Sequence, residues 1–351
     1  MRIIRFITAL ALCLLLASCS VPQKTLTGHA FALDTIVELK IYSYSSKGSD
    51  RLIQGAFDRL AALENLLSLH VAGSDIDNLN RSAGIAPVIV SDVTYGVLED
   101  SIRFSRLTDG LFDVTAGPLI DLWAIDPPDG HYPTQNELDA TLPLIDYQKI
   151  LFFGGNEVQL QDAGMTVNLG AIAKGTIADE IKAYLLSQGV TSALINLGGN
   201  VLTIGSKPDG TSFVIGIQDP NSPRGSYLLR IHIDDASVVS SGDYERFFEY
   251  EGETYHHILN PKTGFPAKTN IKQVTIVTAE SQTADGLSTS VLLLGVQKGI
   301  RLIESLDGVE AIFITKDYSI YFTPGLRDRY DVQDDLIQSY TIIDRASDLQ
   351  D

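Results

Sequence analysis

One stretch limits the possible folds more than any other: Gly242-Asp-Tyr-Glu-Arg-Phe-Phe-Glu-Tyr-Glu-Gly-Glu-Thr-Tyr-His-His-Ile-Leu-Asn-Pro-Lys-Thr-Gly264. From Tyr244 to Tyr250 the side chains alternate, with Tyr244, Arg246, Phe248 and Tyr250 on one side and Glu245, Phe247 and Glu249 on the other. That is the period of a strand. Glu251-Gly252-Glu253 reads as a turn and residues 254–259 as the returning strand. Asn260-Pro261-Lys262-Thr263-Gly264 then stops the ladder, because proline has no N–H to donate and glycine accepts positive φ. The hairpin carries His256 and His257 to its exit. On these residues alone it is either an edge hairpin with surface histidines or a platform that presents an imidazole.

Two hydrophobic periods alternate along the rest of the chain. Strands are expected at residues 31–42, 149–153, 157–160, 165–169, 193–197, 212–218, 226–233, 273–278, 311–314 and 320–322. Helices are expected over 52–69, where Ile53, Phe57, Leu60 and Leu67 share a face, and from a Ser91 cap to about residue 105. Others follow Gly175 as far as Ser187, with Gly189 as the stop, and cover 284–294 and 298–306. Residues 108–118 form a turn-rich candidate ligand loop, and residues 126–130 a surface excursion. Hairpins mixed with helices imply an α+β fold of antiparallel sheets with packed helices. No Pro/Gly-rich linker divides it, so residues 29–325 are expected to form one catalytic unit, followed by a loose charged tail over 326–351.

The first eighteen residues stand apart from that core. Arg2 and Arg5 precede an apolar run from Ile7 to Leu16, closed by Leu16-Ala17-Ser18-Cys19. The run is short for a bilayer span and has the flanks of a signal peptide. Leu-Ala-Ser-Cys resembles a bacterial lipoprotein box, with cleavage before Cys19, acylation of its sulfur and a tether over residues 19–28. The expected location is the bacterial cell envelope, outside the cytoplasm and held to a membrane by lipid. With Cys13 removed and Cys19 acylated, no thiol is left for a disulfide, a metal cage or a nucleophile. A formal charge of −18 repels nucleic acid and anionic headgroups, so no nucleic-acid partner is expected. Any phosphate-bearing ligand would need a local cation or a metal.

Two clusters could supply one. Asp285 and Thr289 are four apart in a helical segment and share a face. A carboxylate with a hydroxyl suits Mg²⁺, which takes few protein ligands and keeps water and phosphate. The same pair also reads as a first-turn acid with a back-bonding threonine. The run Gly170-Ala-Ile-Ala-Lys-Gly175 joins a strand to a helix, where N–H groups converge and Lys174 adds charge. Its glycine spacing fits neither a P-loop nor a dinucleotide fingerprint, and a plain tight turn fits it equally.

Six stretches taken in order resemble the ApbE family, the FAD:protein FMN transferases. They are Phe112-Asp-Val-Thr-Ala-Gly-Pro-Leu119, Asn168-Leu-Gly-Ala-Ile-Ala-Lys-Gly175, Ile195-Asn-Leu-Gly-Gly-Asn200, Gly242-Asp-Tyr-Glu-Arg246, His257-Ile-Leu-Asn-Pro-Lys-Thr-Gly264 and Ala284-Asp-Gly-Leu-Ser-Thr289. The resemblance covers roughly residues 28–325. It implies that Mg²⁺ assists cleavage of the pyrophosphate of FAD. FMN would pass to a Thr or Ser hydroxyl of an acceptor protein carrying an FMN-binding domain, and AMP would leave. It also implies that Asp285, Thr289 and the carbonyl of Ala171 hold the metal, and that His257 is the base. His70, Thr115, Ala116, Gly117, Asn168, Lys174 and Leu259 match positions that line FAD. Two positions depart from the family pattern: Asn168 stands where aspartate is usual near the adenine, and His70 where an aromatic residue is common near the isoalloxazine. Two further readings share the same residues, an FAD pyrophosphatase releasing free FMN and a flavin-binding lipoprotein without catalysis.

Overall fold

The computed structural model describes residues 25–42, 49–125, 130–343 and 348–349. The expected signal peptide, Cys19 and residues 126–129 of the surface excursion lie outside them. The organising element is a nine-stranded sheet. Its strands run in the order Leu26–Ala32, Thr35–Tyr42, Ser192–Leu197, Asn200–Ile204, Ser237–Gly242, Ile271–Thr278, Glu310–Thr315, Ser319–Phe322 and Thr341–Ile343. Every pairing is antiparallel except the last.

Side-chain alternation divides the central strands between two cores. Along Glu310–Thr315, Ala311 and Phe313 enter one core while Ile312 and Ile314 enter the other. The first core lies under the helices Ser49–Leu67, Ala173–Ser187, Ser281–Leu294 and Val296–Glu304. The second lies under a three-stranded sheet of Tyr330–Val332, Tyr227–Ile233 and Phe213–Gln218. Ile271–Thr278 is buried along nearly its whole length, on both faces, so its Ile, Val, Gln and Thr side chains show no clean apolar/polar alternation.

A third, smaller core supports the hairpin region. Trp123, at the end of the helix Gly117–Trp123, is fully buried against Leu119, Leu138, Phe248 and Leu259. Its Nε1–H donates to the Gly264 carbonyl at 2.6 Å, which fixes the Asn260–Gly264 turn from below. Gly264 has φ +76°, the left-handed region that glycine tolerates.

Several expectations change. The hairpin forms, but its strands are Phe247–Tyr250 and Glu253–His256. Residues 243–246 leave the ladder because Tyr244 hydrogen-bonds to Gln273 and the Arg246 carbonyl turns to His257. Leu259–Asn260 belongs to a separate two-residue ladder with Phe265–Pro266. Residues 165–169 make only one isolated bridge, Thr166 with Ala116. The Asn80 side chain brackets Val167, accepting its N–H at 2.7 Å and donating to its carbonyl at 3.0 Å. Val114 O accepts from Asn168 N. The backbone is satisfied without a neighbouring strand. The charged tail is not loose throughout, since Tyr330–Val332 and Thr341–Ile343 complete both sheets. Gln135–Thr141, an unexpected helix, begins with a capping box between Thr134 and Glu137.

Candidate active site

The helices Ala173–Ser187 and Ser281–Leu294 pack closely enough that a Cβ on Gly175 would lie 2.3 Å from the Ser281 carbonyl oxygen. Glycine at that position is therefore a packing requirement. The crossing places Asp285 against the first turn of the Ala173 helix, where its Oδ2 accepts the Gly175 N–H at 2.9 Å. Asp285 is buried, and burial pushes its carboxyl above the usual range. The Lys174 ammonium and the Gly175 N–H oppose that rise. Thr289, one turn further along, is half-buried. The Ala171 carbonyl lies in the turn before the other helix.

Among the described residues no three His, Cys, Asp or Glu side chains stand close enough to hold a metal. One carboxylate, one hydroxyl and one carbonyl nonetheless fit Mg²⁺, which leaves the rest of its shell to water and substrate phosphate. They do not fit a cation that needs an all-protein cage.

His257 stands beyond the hairpin exit, half-buried. Its N–H and its Nδ1 both engage the Arg246 carbonyl, at 3.1 and 3.2 Å. A carbonyl can only accept, so Nδ1 carries the proton and Nε2 keeps its lone pair. Burial, then the Arg246 guanidinium, holds the imidazole down at about 4, with Lys174 acting in the same direction. The value of about 6.5 expected for an ordinary histidine does not apply, because two cations and burial disfavour the imidazolium. His257 is therefore neutral at pH 7, with a free basic nitrogen. Lys174 influences both Asp285 and His257, which brings the three into one electrostatic neighbourhood.

His256 plays a different part. It is buried, donates from Nε2 to the Ala267 carbonyl at 3.0 Å, and accepts the Ile258 N–H on Nδ1 at 3.3 Å. Both nitrogens are committed to the fold.

The positions expected to line a flavin divide into side chains that are available and side chains that are not. Thr115 is fully buried, and its hydroxyl donates to Asp113 Oδ1 at 2.6 Å and accepts the Asp146 N–H at 2.9 Å. Only its backbone can meet a ligand. Gly117 is tight against Thr166, 2.3 Å from Oγ1 to a hypothetical Cβ, and Ala116 forms the bridge to the same residue. The Leu259 side chain points into the Trp123 core. Asn168 is half-buried, and its Oδ1 accepts the Gly170 N–H at 2.8 Å. With the oxygen engaged, the amide keeps two N–H donors, which an aspartate would lack. His70 is exposed and stands near Asp121 on the Gly117–Trp123 helix, whose carboxyl burial pushes up and the His70 side chain opposes.

Three contributors had no separate signal in the sequence. Arg246 supplies the carbonyl that sets the His257 tautomer. Asp113 binds Thr115 N, Thr115 Oγ1 and Tyr147 N, and so shapes the 113–117 loop. Asp179 accepts from Ser281 N and Gln282 N at the start of the Asp285 helix.

A family model described as the ApbE family matches residues 33–313. Among relatives, an FAD:protein FMN transferase of Treponema pallidum is 34% identical over 317 residues, covering 86% of this chain and 88% of the relative. One from Klebsiella pneumoniae is 34% identical over 316 residues, covering 90% and 96%. Among solved structures, the flavin transferase ApbE of Vibrio cholerae superposes with a TM-score of 0.80 at 27% identity, covering 88% of this chain and all of that one. The ApbE protein of Thermotoga maritima gives 0.78 at 28% identity, covering 86% and 98%.

Proposed function

This chain belongs to the ApbE family, and on that premise we propose that it is an FAD:protein FMN transferase, working on an acceptor protein through a Thr or Ser hydroxyl. The observation that carries the reading is the pair of bonds from His257 to the Arg246 carbonyl, which leaves Nε2 unprotonated on an imidazole that feels the Lys174 charge. A neutral imidazole is what a hydroxyl needs to lose its proton as it attacks phosphorus. The acceptor oxygen forms a bond to the FMN phosphorus of FAD. The pyrophosphate P–O bond breaks, AMP leaves with the bridging oxygen, and the hydroxyl proton passes to His257 Nε2. Lys174 and the N–H groups at the start of its helix offer positive charge to the phosphates. Asp285, Thr289 and the Ala171 carbonyl would hold Mg²⁺, which supplies charge neutralisation at the pyrophosphate when bound. These ligands also answer the difficulty that a chain of charge −18 poses for a phosphate-bearing substrate.

The deciding experiment incubates the protein with FAD and Mg²⁺, with and without an acceptor carrying a Thr or Ser target. Covalent flavin on the acceptor is expected. Free FMN with or without acceptor would make the protein a hydrolase, and unchanged FAD a non-catalytic flavin binder.

The lipid anchor at Cys19 belongs to the same proposal. No described helix is long and apolar enough to cross a membrane. The anchor would join the chain ahead of the Leu26–Ala32 strand, the first described element. Cys19→Ala is expected to release the protein from membranes while leaving its turnover intact. A variant that stays membrane-bound after a salt wash sinks the anchor.

A further inference from the structure

Neither helix at the site caps its own start. Ile172 precedes Ala173–Ser187 and Glu280 precedes Ser281–Leu294, and neither side chain accepts a backbone N–H of its own first turn; the Glu280 carboxylate takes only the Thr283 hydroxyl, at 3.1 Å. Each vacancy is closed from the other helix. Asp285 Oδ2 takes the Gly175 N–H at 2.9 Å. Asp179 Oδ1 takes the Ser281 N–H and Oδ2 the Gln282 N–H, each at 2.8 Å. The two N-termini are thus joined by a reciprocal pair of carboxylate caps across a glycine contact.

We propose that Asp179 is a positioning residue for the cation site, setting the distance between the Ala171 carbonyl and the Asp285–Thr289 pair. The proposal rests on the metal reading given above. The carbonyl precedes one helix and the carboxylate and hydroxyl lie on the other, so no single element fixes their spacing. Asp285 cannot fix it alone, because the same carboxylate must offer its remaining oxygen to the cation. Asp179 ties the start of the Asp285 helix from outside the ligand set, and its two bonds act on the turn directly before Asp285. A Mg²⁺ shell tolerates little departure from octahedral geometry, whereas Ca²⁺ accepts irregular shells and longer bonds. Loss of Asp179 should therefore reduce Mg²⁺ binding selectively.

The test titrates MgCl₂, and separately CaCl₂, into the full chain of the native protein, Asp179→Asn and Asp179→Ala by calorimetry. Amide hydrogen exchange at Gly175, Ser281 and Gln282 is followed in parallel. The Asn variant keeps one acceptor at the same place should the Ala variant fold poorly. Expected in both variants is a Mg²⁺ Kd raised by about tenfold, the usual scale for removing a supporting partner of a metal site. The Ca²⁺ Kd should change far less, and exchange should quicken at Gly175 as well as at residues 281–282. An unchanged Mg²⁺ Kd in both variants overturns the proposal while the metal reading stands. Equal losses for Mg²⁺ and Ca²⁺ alongside a lowered thermal midpoint overturn it in favour of a purely structural cap. A native protein that binds neither ion, with or without FAD, removes the metal reading itself.

Discussion

His257 shows how much of a residue's chemistry is decided by its neighbours. Its imidazole is held at about 4 by burial and two cations, while its tautomer is fixed by one carbonyl. In kcat/KM, which reports free enzyme, the acid limb should inflect near 4. An inflection at 6.5 would mean that the imidazole is solvated. Arg246→Ala removes the larger of the two cationic influences and keeps the carbonyl, so it should move the limb upward. His257→Ala should bind FAD normally, yet transfer roughly a hundredfold to ten-thousandfold more slowly. A stability effect follows with a definite sign. The folded value lies below the unfolded one, so the unfolded chain binds the proton first as pH drops. The His257 contribution is complete above about 6.5 and disappears as pH falls toward 4. Thermal midpoints taken across that window should fall less steeply for His257→Ala than for the native protein. Asp285→Ala should abolish Mg²⁺-dependent turnover and also uncap Gly175, a cost of about 1 kcal/mol. Full turnover by that variant at ordinary Mg²⁺ would remove Asp285 from the site.

At the scale of elements, two glycines with the same helical environment on paper have opposite meanings. Gly96 lies in the helix Asp92–Leu107 with nothing within 4 Å of where a Cβ would be. Gly96→Ala should stabilise the protein by roughly 0.5–1 kcal/mol, the backbone cost of glycine in a helix. Gly175 sits at the crossing of two helices, and Gly175→Ala should destabilise by about 1–3 kcal/mol as the pair is pushed apart. Chemical denaturation of both variants checks the pair of signs. A stabilised Gly175→Ala would mean the crossing is loose, and the reciprocal caps would then have little to hold. The hairpin follows similar logic. Its alternation is real, but Phe248 is buried over Trp123 while Phe247 is 39% exposed, so only one face had a core to meet.

At the scale of the molecule, the C-terminal residues close the fold. Tyr330 stacks on Phe322 with ring centroids 4.0 Å apart and planes 2° apart. Tyr340 donates from its hydroxyl to Asp219 Oδ1 at 2.5 Å and accepts from Asn221 Nδ2 at 2.7 Å. Removing residues 328–351 strips an edge strand from each sheet and bares the backbone of Ser319–Phe322 and Tyr227–Ile233. The truncated chain is expected to unfold at lower temperature and to self-associate through those open edges. Thermal scans with size-exclusion chromatography test this, and an unchanged, monodisperse protein would show that the last strands are ornament to the fold.

The sequence by itself determined the α+β class, the principal helices, the hairpin with its Asn260–Gly264 stop, and the pairing of Asp285 with Thr289 on one helix face. Each follows from local periodicity or turn chemistry, which act over a few residues. Ser91, the expected cap, does accept the Thr94 N–H, because an N-cap needs only residues three apart. Tertiary structure alone decided the remainder. Residues 165–169 have the apolar pattern of a strand, but Asn80, 87 positions from Val167, already takes both backbone groups of that residue. Thr115 is expected from the resemblance to line a flavin, but its hydroxyl is already taken by the Asp113 carboxylate and the Asp146 N–H. The reciprocal caps join residues 110 and 102 positions apart, and no spacing rule reaches that far. The His257 proton, finally, depends on a carbonyl, on burial and on two cations that meet only in the folded chain. Hydrogen bonds and fields depend on distance in space, and a sequence records only distance along the chain.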